Sequence, residues 1–160
     1  MTGVQTCALP ICLAYALAAG SLADNGKKEE AKKMLNKCDQ MMLDENFPYG
    51  MVSRGQQQNK FSMQMLLSSY KAGDTVLAAK ITKSVKKDLE QQMNYMSNLD
   101  DRKQEAMQYE TEEVKRLLMG IQQIEMQFKM QKMSLPENPG TIISPPVTPA
   151  KAADTPKKKG

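Results

Sequence analysis

The sequence predicts an all-α fold. Three observations support this prediction: apolar residues recur at spacings of three and four positions, aromatic residues make up only 5% of the chain, and tryptophan is absent. The apolar fraction of 41% includes 14 methionines, which pack adaptably and are compatible with helices. A β-sandwich would need more β-branched and aromatic residues in alternation. The 160 residues are enough for one helical domain.

The first residues resemble a translated sequencing adapter. Positions 1–11 read Met-Thr-Gly-Val-Gln-Thr-Cys-Ala-Leu-Pro-Ile, which matches the codons of a common short-read adapter, and the codon of Cys12 spans the junction. We expect positions 1–12 to be an artefact and exclude them from the domain, as a tag would be excluded. Positions 8–23 imitate a secretory signal, but no Lys or Arg precedes Lys27 as such a signal requires.

Two helical hairpins are predicted between positions 13 and 99. The first has a turn at Asn25-Gly26 and the second a turn at Gly73, because Gly suits the left-handed position after a helix end. The apolar stripes of the first hairpin are Ala14, Leu17, Ala18, Leu22 and then Ala31, Leu35, Cys38, Met42. Those of the second are Ser62, Met65, Leu66, Ser69, Tyr70 and then Ala78, Ile81, Val85.

The spacing Gly-x-x-x-x-Ala occurs in both hairpins, as Gly26/Ala31 and Gly73/Ala78, and indicates an internal repeat. In this respect the chain resembles the tetratricopeptide repeat, in which Gly lies near the turn and small residues lie where the helices touch. The two glycines are 47 positions apart, against about 34 in that repeat, and Leu43 stands where the closing Pro is usual. We therefore expect two lengthened hairpins.

A long C-terminal helix from about Asp101 to Met133 is predicted to cap the repeats. Its apolar stripe is Met107, Val114, Leu117, Ile121, Ile124 and Phe128, with Glu112, Glu113, Lys115 and Arg116 on the other face. A coiled-coil dimer is the alternative, although Glu110 and Gln131 interrupt the seam. The domain thus covers 13–133, and the Pro- and Lys-rich positions 134–160 are expected to be a disordered tail.

Catalytic and cofactor sites are not expected. The chain has no His, which excludes Ser-His-Asp and Cys-His nucleophiles and His-ligated zinc. Paired acids such as Glu112/Glu113 fall on solvated helix faces, and Cys38 is interpreted as a small core residue. The net charge of +4 is spread along the chain without interleaved aromatics, so we expect no nucleic-acid partner.

The long connection between the hairpins is the candidate interaction loop. It holds two aromatics, a Pro, two Gly and an Arg, and we single out Phe47, Pro48, Tyr49, Arg54 and Asn59. Such a loop can present an ordered surface to a partner. Alternatively, Phe47 and Tyr49 pin the loop to the hairpins.

Three segments also resemble the C-terminal region of a Bacteroidota membrane-protein family. They are Asp44-Glu45-Asn46-Phe47-Pro48-Tyr49-Gly50-Met51-Val52-Ser53-Arg54, Tyr70-Lys71-Ala72-Gly73-Asp74, and Val85-Lys86-Lys87-Asp88-Leu89-Glu90-Gln91-Gln92 with Leu99-Asp100-Asp101. The resemblance covers about positions 13–128. Members carry an upstream multi-span domain similar to protein O-mannosyltransferases, so the resemblance implies a fragment whose catalytic domain is missing.

From these observations we expect a non-catalytic interaction or scaffold region that binds a protein partner or its own upstream transmembrane domain. The resemblance implies a periplasmic position, with membrane association only through the upstream region. Two alternatives remain: the loop completes the acceptor or donor site of the transferase, or the chain is a free-standing adaptor.

Overall fold

The computed structural model describes residues 5–42 and 47–134, with side chains at positions 10–42 and 47–130. Within these ranges the chain forms six α-helices and no strand, which confirms the all-α fold. The helices are α1 (Gln5–Asp24), α2 (Lys28–Met41), α3 (Gln57–Ala72), α4 (Thr75–Ser97), α5 (Asp101–Ala106) and α6 (Gln108–Ser134). The predictions for positions 1–4, 43–46 and 135–160 lie outside the described residues.

The two hairpins, α1–α2 and α3–α4, close with the same turn. Gly26 and Gly73 have φ angles of 80° and 76°, which only glycine adopts without strain. In each turn the residue after the glycine donates its N–H to the carbonyl five positions earlier, Lys27 to Leu22 and Asp74 to Ser69, both at 2.9 Å. This is the Schellman arrangement, which satisfies the last carbonyls of a helix.

Helix α3 lies at the centre of the fold, where it packs against α1, α2, α4 and α6. The interior is built mainly from aliphatic side chains, as the composition predicts. Its largest fully buried aliphatic members are Leu35, Met65, Leu66, Ile81, Leu89, Ile121, Val85 and Val114. The C-terminal helix therefore covers the second hairpin rather than the first, because α6 contacts α3 and α4.

The predicted stripe of α1 was wrong. Ala14 and Leu17 are exposed, and the buried stripe is instead Cys12, Ala16, Ala19 and Ala23. The cause is close packing: α1 contacts both α2 and α3, and Ser68 of α3 donates its hydroxyl to the Ala16 carbonyl at 2.8 Å. Small residues permit this approach, so they face inward while Leu17 does not. Among the described side chains, the first buried member of this stripe is Cys12, inside the adapter-like segment.

The C-terminal helix differs from the prediction in two respects. It is interrupted at Met107, so the short α5 precedes the 27-residue α6. Glu113, expected on the solvated face, is only 7% exposed. Its carboxylate lies 3.2 Å from Lys60 Nζ and 2.8 Å from Arg116 Nη1, and these two cations compensate its burial.

Candidate functional site

The connection between the hairpins is held by Tyr49. Its side chain is 1% exposed, and its hydroxyl donates to Asp39 Oδ1 of α2 at 2.6 Å. Lys80 of α4 donates to the same oxygen at 2.9 Å, and its Nζ lies 5.6 Å from the centre of the tyrosine ring. One residue of the connection thus joins the first hairpin to the second.

The backbone on either side of Tyr49 is fixed by α3 and α4. The Tyr49 carbonyl accepts from Ser62 Oγ at 2.7 Å, and the Gly50 N–H donates to Ser84 Oγ at 3.0 Å. A Cβ atom on Gly50 would lie 2.3 Å from the Ser84 carbonyl oxygen, so only glycine fits here. The Pro48 carbonyl accepts from Gln58 Nε2 at 2.9 Å.

A buried polar group, which we call the amide cluster, lies where the connection enters α3. It consists of Gln56, Asn59, Asp88 and Gln92. Gln56 Nε2 donates to Gln92 Oε1 at 2.6 Å, and Asn59 Nδ2 donates to Gln56 Oε1 and to Asp88 Oδ2, each at 2.8 Å. Gln56 has a left-handed φ of 58°, an unfavourable conformation for a non-glycine residue that these contacts compensate.

The structure separates the five residues predicted to form the interaction loop. Tyr49 and Asn59 are buried, Phe47 and Pro48 are half-buried, and Arg54 is exposed. Asn59 is not in the loop but in the first turn of α3. The polar residues before it suggested a loop, whereas α3 already begins at Gln57 and the Asn59 side chain bonds to Gln56 and to Asp88 of α4. The burial of Tyr49 agrees with the pinned-loop alternative.

The four repeat residues occupy matching positions in the two hairpins. Gly26 and Gly73 form equivalent turns, and Ala31 and Ala78, five positions later, are fully buried in the helices that follow. Their role is structural in both hairpins, because none of them presents a functional group.

An open groove, which we call the turn groove, lies where the two turns meet the C-terminal part of α6. It encloses about 860 Å³. Tyr70 of α3 stacks on Phe128 of α6 with ring centres 5.0 Å apart and planes 9° from parallel. The sequence gives no signal for this pair, because 58 positions separate the two aromatics. The groove is lined chiefly by Ala23, Leu67, Tyr70, Phe128 and the lysines Lys28, Lys71 and Lys129.

Charge in the turn groove is mostly positive. Lys71 Nζ lies 2.7 Å from Asp24 Oδ2 and links the two turns. Burial raises the pKa of the Tyr70 hydroxyl above its usual range, and the nearby charge of Glu125 raises it further. Tyr70 is therefore a neutral phenol at physiological pH.

Helix α6 also exposes methionines. Met119, Met126 and Met130 are 61%, 60% and 65% exposed, and Gln122, Gln123 and Gln127 lie among them. This uncharged strip, the methionine face, lies apart from the buried stripe of the same helix.

Reactive groups are few in the described part of the chain. Burial, followed by the hydrogen bond to Cys12 and the charges of Cys12 and Asp39, raises the pKa of the Cys38 thiol far above its usual range. The Cys38 side chain therefore stays a thiol and is a poor nucleophile. Across positions 10–42 and 47–130, no three Cys, Asp or Glu side chains are placed to hold a metal ion.

The fold and its grooves define an all-α protein of two stacked helical hairpins with a capping helix. No protein-family model, curated protein or solved structure matches the chain. No described helix combines the length and the apolar character needed to cross a bilayer.

Proposed function

We propose that the chain is a non-catalytic helical-hairpin module that binds a segment of another protein. The turn groove carries this proposal, because it joins an accessible apolar surface to lysines at a place where five helices meet. Apolar grooves with a few polar groups at the edge are typical binding sites. The connection between the hairpins joins α2 to α4, because Tyr49 and Lys80 both donate to Asp39.

For the parent protein, we infer a membrane glycosyltransferase-like protein in which this module is a soluble, periplasmic region. The resemblance of the segments at 44–54, 70–74 and 85–92 to the Bacteroidota family supports this inference. The partner is then another protein or the upstream transmembrane domain of the same chain. Neither a cofactor nor nucleic acid forms part of the proposal.

A second candidate function is that the module completes the acceptor or donor site of the transferase. The exposed Arg54 favours it, since a guanidinium can bind the phosphate of a lipid-linked sugar. Arg54 lies next to Gly55, whose φ of 60° fixes the direction of the chain at that point.

The first experiment is to sequence the gene upstream of Leu13 from an uncontaminated template. We expect codons for several membrane-spanning segments. Their absence would contradict the membrane parent and leave the free-standing adaptor.

The second experiment uses the full-length protein with and without residues 13–133. We expect the deletion to preserve turnover on a small acceptor and to abolish co-purification of the partner that cross-links to the intact protein. If turnover is lost instead, and Arg54→Ala abolishes it while Arg102→Ala does not, the second candidate is correct. Arg102 is a suitable control because it is equally charged and exposed on α5.

A further inference from the structure

The turn groove has an apolar floor that can hold one large side chain. Leu67, Tyr70 and Phe128 supply the carbon surface, and the stacking of the Tyr70 and Phe128 rings joins α3 to α6 there. A volume of about 860 Å³ lies within the usual range of ligand sites. An aliphatic or aromatic side chain placed there would gain about 25 cal/mol for each Å² of apolar surface removed from water.

The charged side chains at the edge of the groove favour a negatively charged ligand. Three lysines line it, Lys28, Lys71 and Lys129, against the single acid Asp24. Lys71 is paired with Asp24, whereas Lys28 and Lys129 are exposed and have no ion pair among the described side chains. Even when Glu125, which acts on Tyr70, is included, cations outnumber acids.

The same charge count argues against two other occupants. The positions after Ser134 contain four Lys and only two acids, so their net positive charge disfavours them as the occupant of a groove lined by lysines. A second copy of the chain, docked groove against groove, would place one set of lysines against another. A negatively charged segment of a partner protein avoids both of these charge repulsions.

We propose that the turn groove binds a peptide segment of a partner protein in which an aliphatic or aromatic residue is flanked by Asp or Glu. This inference rests on the proposed function, because it specifies the partner chemistry of the same groove. The apolar side chain packs on Tyr70 and Phe128, and the flanking carboxylates pair with Lys28 and Lys129. Lys71 keeps N–H donors beyond the one directed at Asp24.

The test begins with selection of short random peptides, displayed on phage, against the full 160-residue chain. We expect enriched sequences to combine an apolar residue with neighbouring acids. Fluorescence polarisation then gives the Kd of the best peptide. The double variant Lys28→Glu/Lys129→Glu should weaken binding by about tenfold or more, since reversed charges repel the ligand.

The matched control is Lys33→Glu/Lys87→Glu. Both lysines are exposed and lie outside the groove, and the change in net charge is the same. We expect the Kd to change by less than about threefold, because exposed charges at a distance are screened by salt. Circular dichroism should show equal helicity for both double variants.

A second pair of variants tests the location of the peptide-binding site without changing the net charge of the protein. Thr75→Trp fills the groove, whereas Val76→Trp places the same bulk one position away, on a side chain that is 82% exposed and outside the groove. Thr75→Trp should weaken binding by about tenfold, and Val76→Trp should leave it unchanged.

Three outcomes would overturn this inference. The first is that no peptide is enriched, and the second is that enriched peptides lack acids or tolerate Lys28→Glu/Lys129→Glu. The third is an affinity gain of about tenfold on deleting residues 135–160, which would assign the groove to the tail. Binding elsewhere on the chain leaves the proposed function intact, since that function is judged by partner recruitment in the full-length protein.

Discussion

Tyr49 shows how a single side chain fixes the connection between the hairpins. Its ring is buried between α2 and α4, and its hydroxyl donates a hydrogen bond to the Asp39 carboxylate rather than to water. A hydrogen bond to a charged group contributes about 1.5–3 kcal/mol, and the partial exposure of Asp39 places this one near the lower end. The aromatic therefore stabilises the fold and is not available to a partner.

Tyr49→Phe should lower the free energy of unfolding by about 1.5 kcal/mol, because Asp39 loses a donor while the ring stays packed. Urea denaturation followed by circular dichroism measures the change. Tyr95→Phe is the control: Tyr95 is 62% exposed, and its substitution should cost less than about 0.5 kcal/mol. Equal losses for both variants would show that the Tyr49 hydroxyl does not stabilise the connection.

Only part of the connection could be predicted at the residue scale. Its aromatics, glycines and length marked it as ordered, but the roles of its residues depend on distant partners. Gly50 is fixed by the Ser84 carbonyl, 34 positions away, and Asn59 by Asp88, 29 positions away. A hydrophobic pattern relates residues within a few helical turns. It therefore cannot predict contacts between residues that are about 30 positions apart.

At the scale of a helix, α6 combines two faces with different uses. One face buries Val114, Leu117 and Ile121 against α3 and α4. The opposite side of the helix carries the methionine face, whose methionines are mostly exposed in the described fold. Methionine adapts its shape to irregular surfaces and is frequent at binding surfaces, and this face is accessible at the surface of the described fold.

Ile121→Ala should lower the free energy of unfolding by about 3 kcal/mol, since it removes a fully buried side chain and leaves a cavity. Met126→Ala, on the exposed face of the same helix, should cost less than about 0.5 kcal/mol. Thermal denaturation of the two variants checks the contrast. A large loss for Met126→Ala would mean that the methionine face is covered, as in a dimer.

Periodicity predicted the buried apolar residues Val114, Leu117 and Ile121 of α6 but not the burial of Glu113, and it failed for α1. In α6 most of the inward residues are large and apolar, so a hydrophobic pattern finds them, whereas Glu113 is buried through its ion pairs. In α1 the inward residues are the smallest, because two helices approach it closely and Ser68 reaches the Ala16 carbonyl. The size of the side chains, rather than their hydrophobicity, determined which face of α1 is buried. A sequence pattern based on hydrophobicity does not detect this.

For the whole molecule, α3 is the element on which the others depend. More than half of its residues are buried, and four helices contact it. By contrast, α5 has no buried residue and contacts chiefly α6. Local unfolding costs the least free energy where few apolar contacts are lost. Protection from hydrogen exchange should therefore decrease from α3 to α5.

Hydrogen-exchange mass spectrometry should therefore show the slowest exchange in peptides from Gln57–Ala72 and the fastest helical exchange in Asp101–Ala106. Helix α1, which packs on α3 through small residues, should exchange at intermediate rates. Exchange of α1 and α2 at the rate of α3 would instead indicate that all the helices open in one cooperative event.

The architecture was largely predictable, and the groove was not. Both hairpins, both glycine turns and the covering helix follow from local spacing and turn chemistry. The turn groove needs the relative placement of α1, α3 and α6, which is set by packing among helices far apart in the chain. No sequence pattern relates the lysines and aromatics of the groove to one another, so it could not be predicted that they lie together.

The rigid connection around Tyr49 and Gly50 has a consequence for how such hairpins would be arrayed. Within the 47-position interval from Gly26 to Gly73, Tyr49 and Gly50 form a wedge that is hydrogen-bonded to α2, α3 and α4. In a series of such units, the tilt between neighbours would be set by this wedge. An array built on it would coil with its own superhelical pitch, determined by the tyrosine anchor and the glycine contact rather than by helix packing alone.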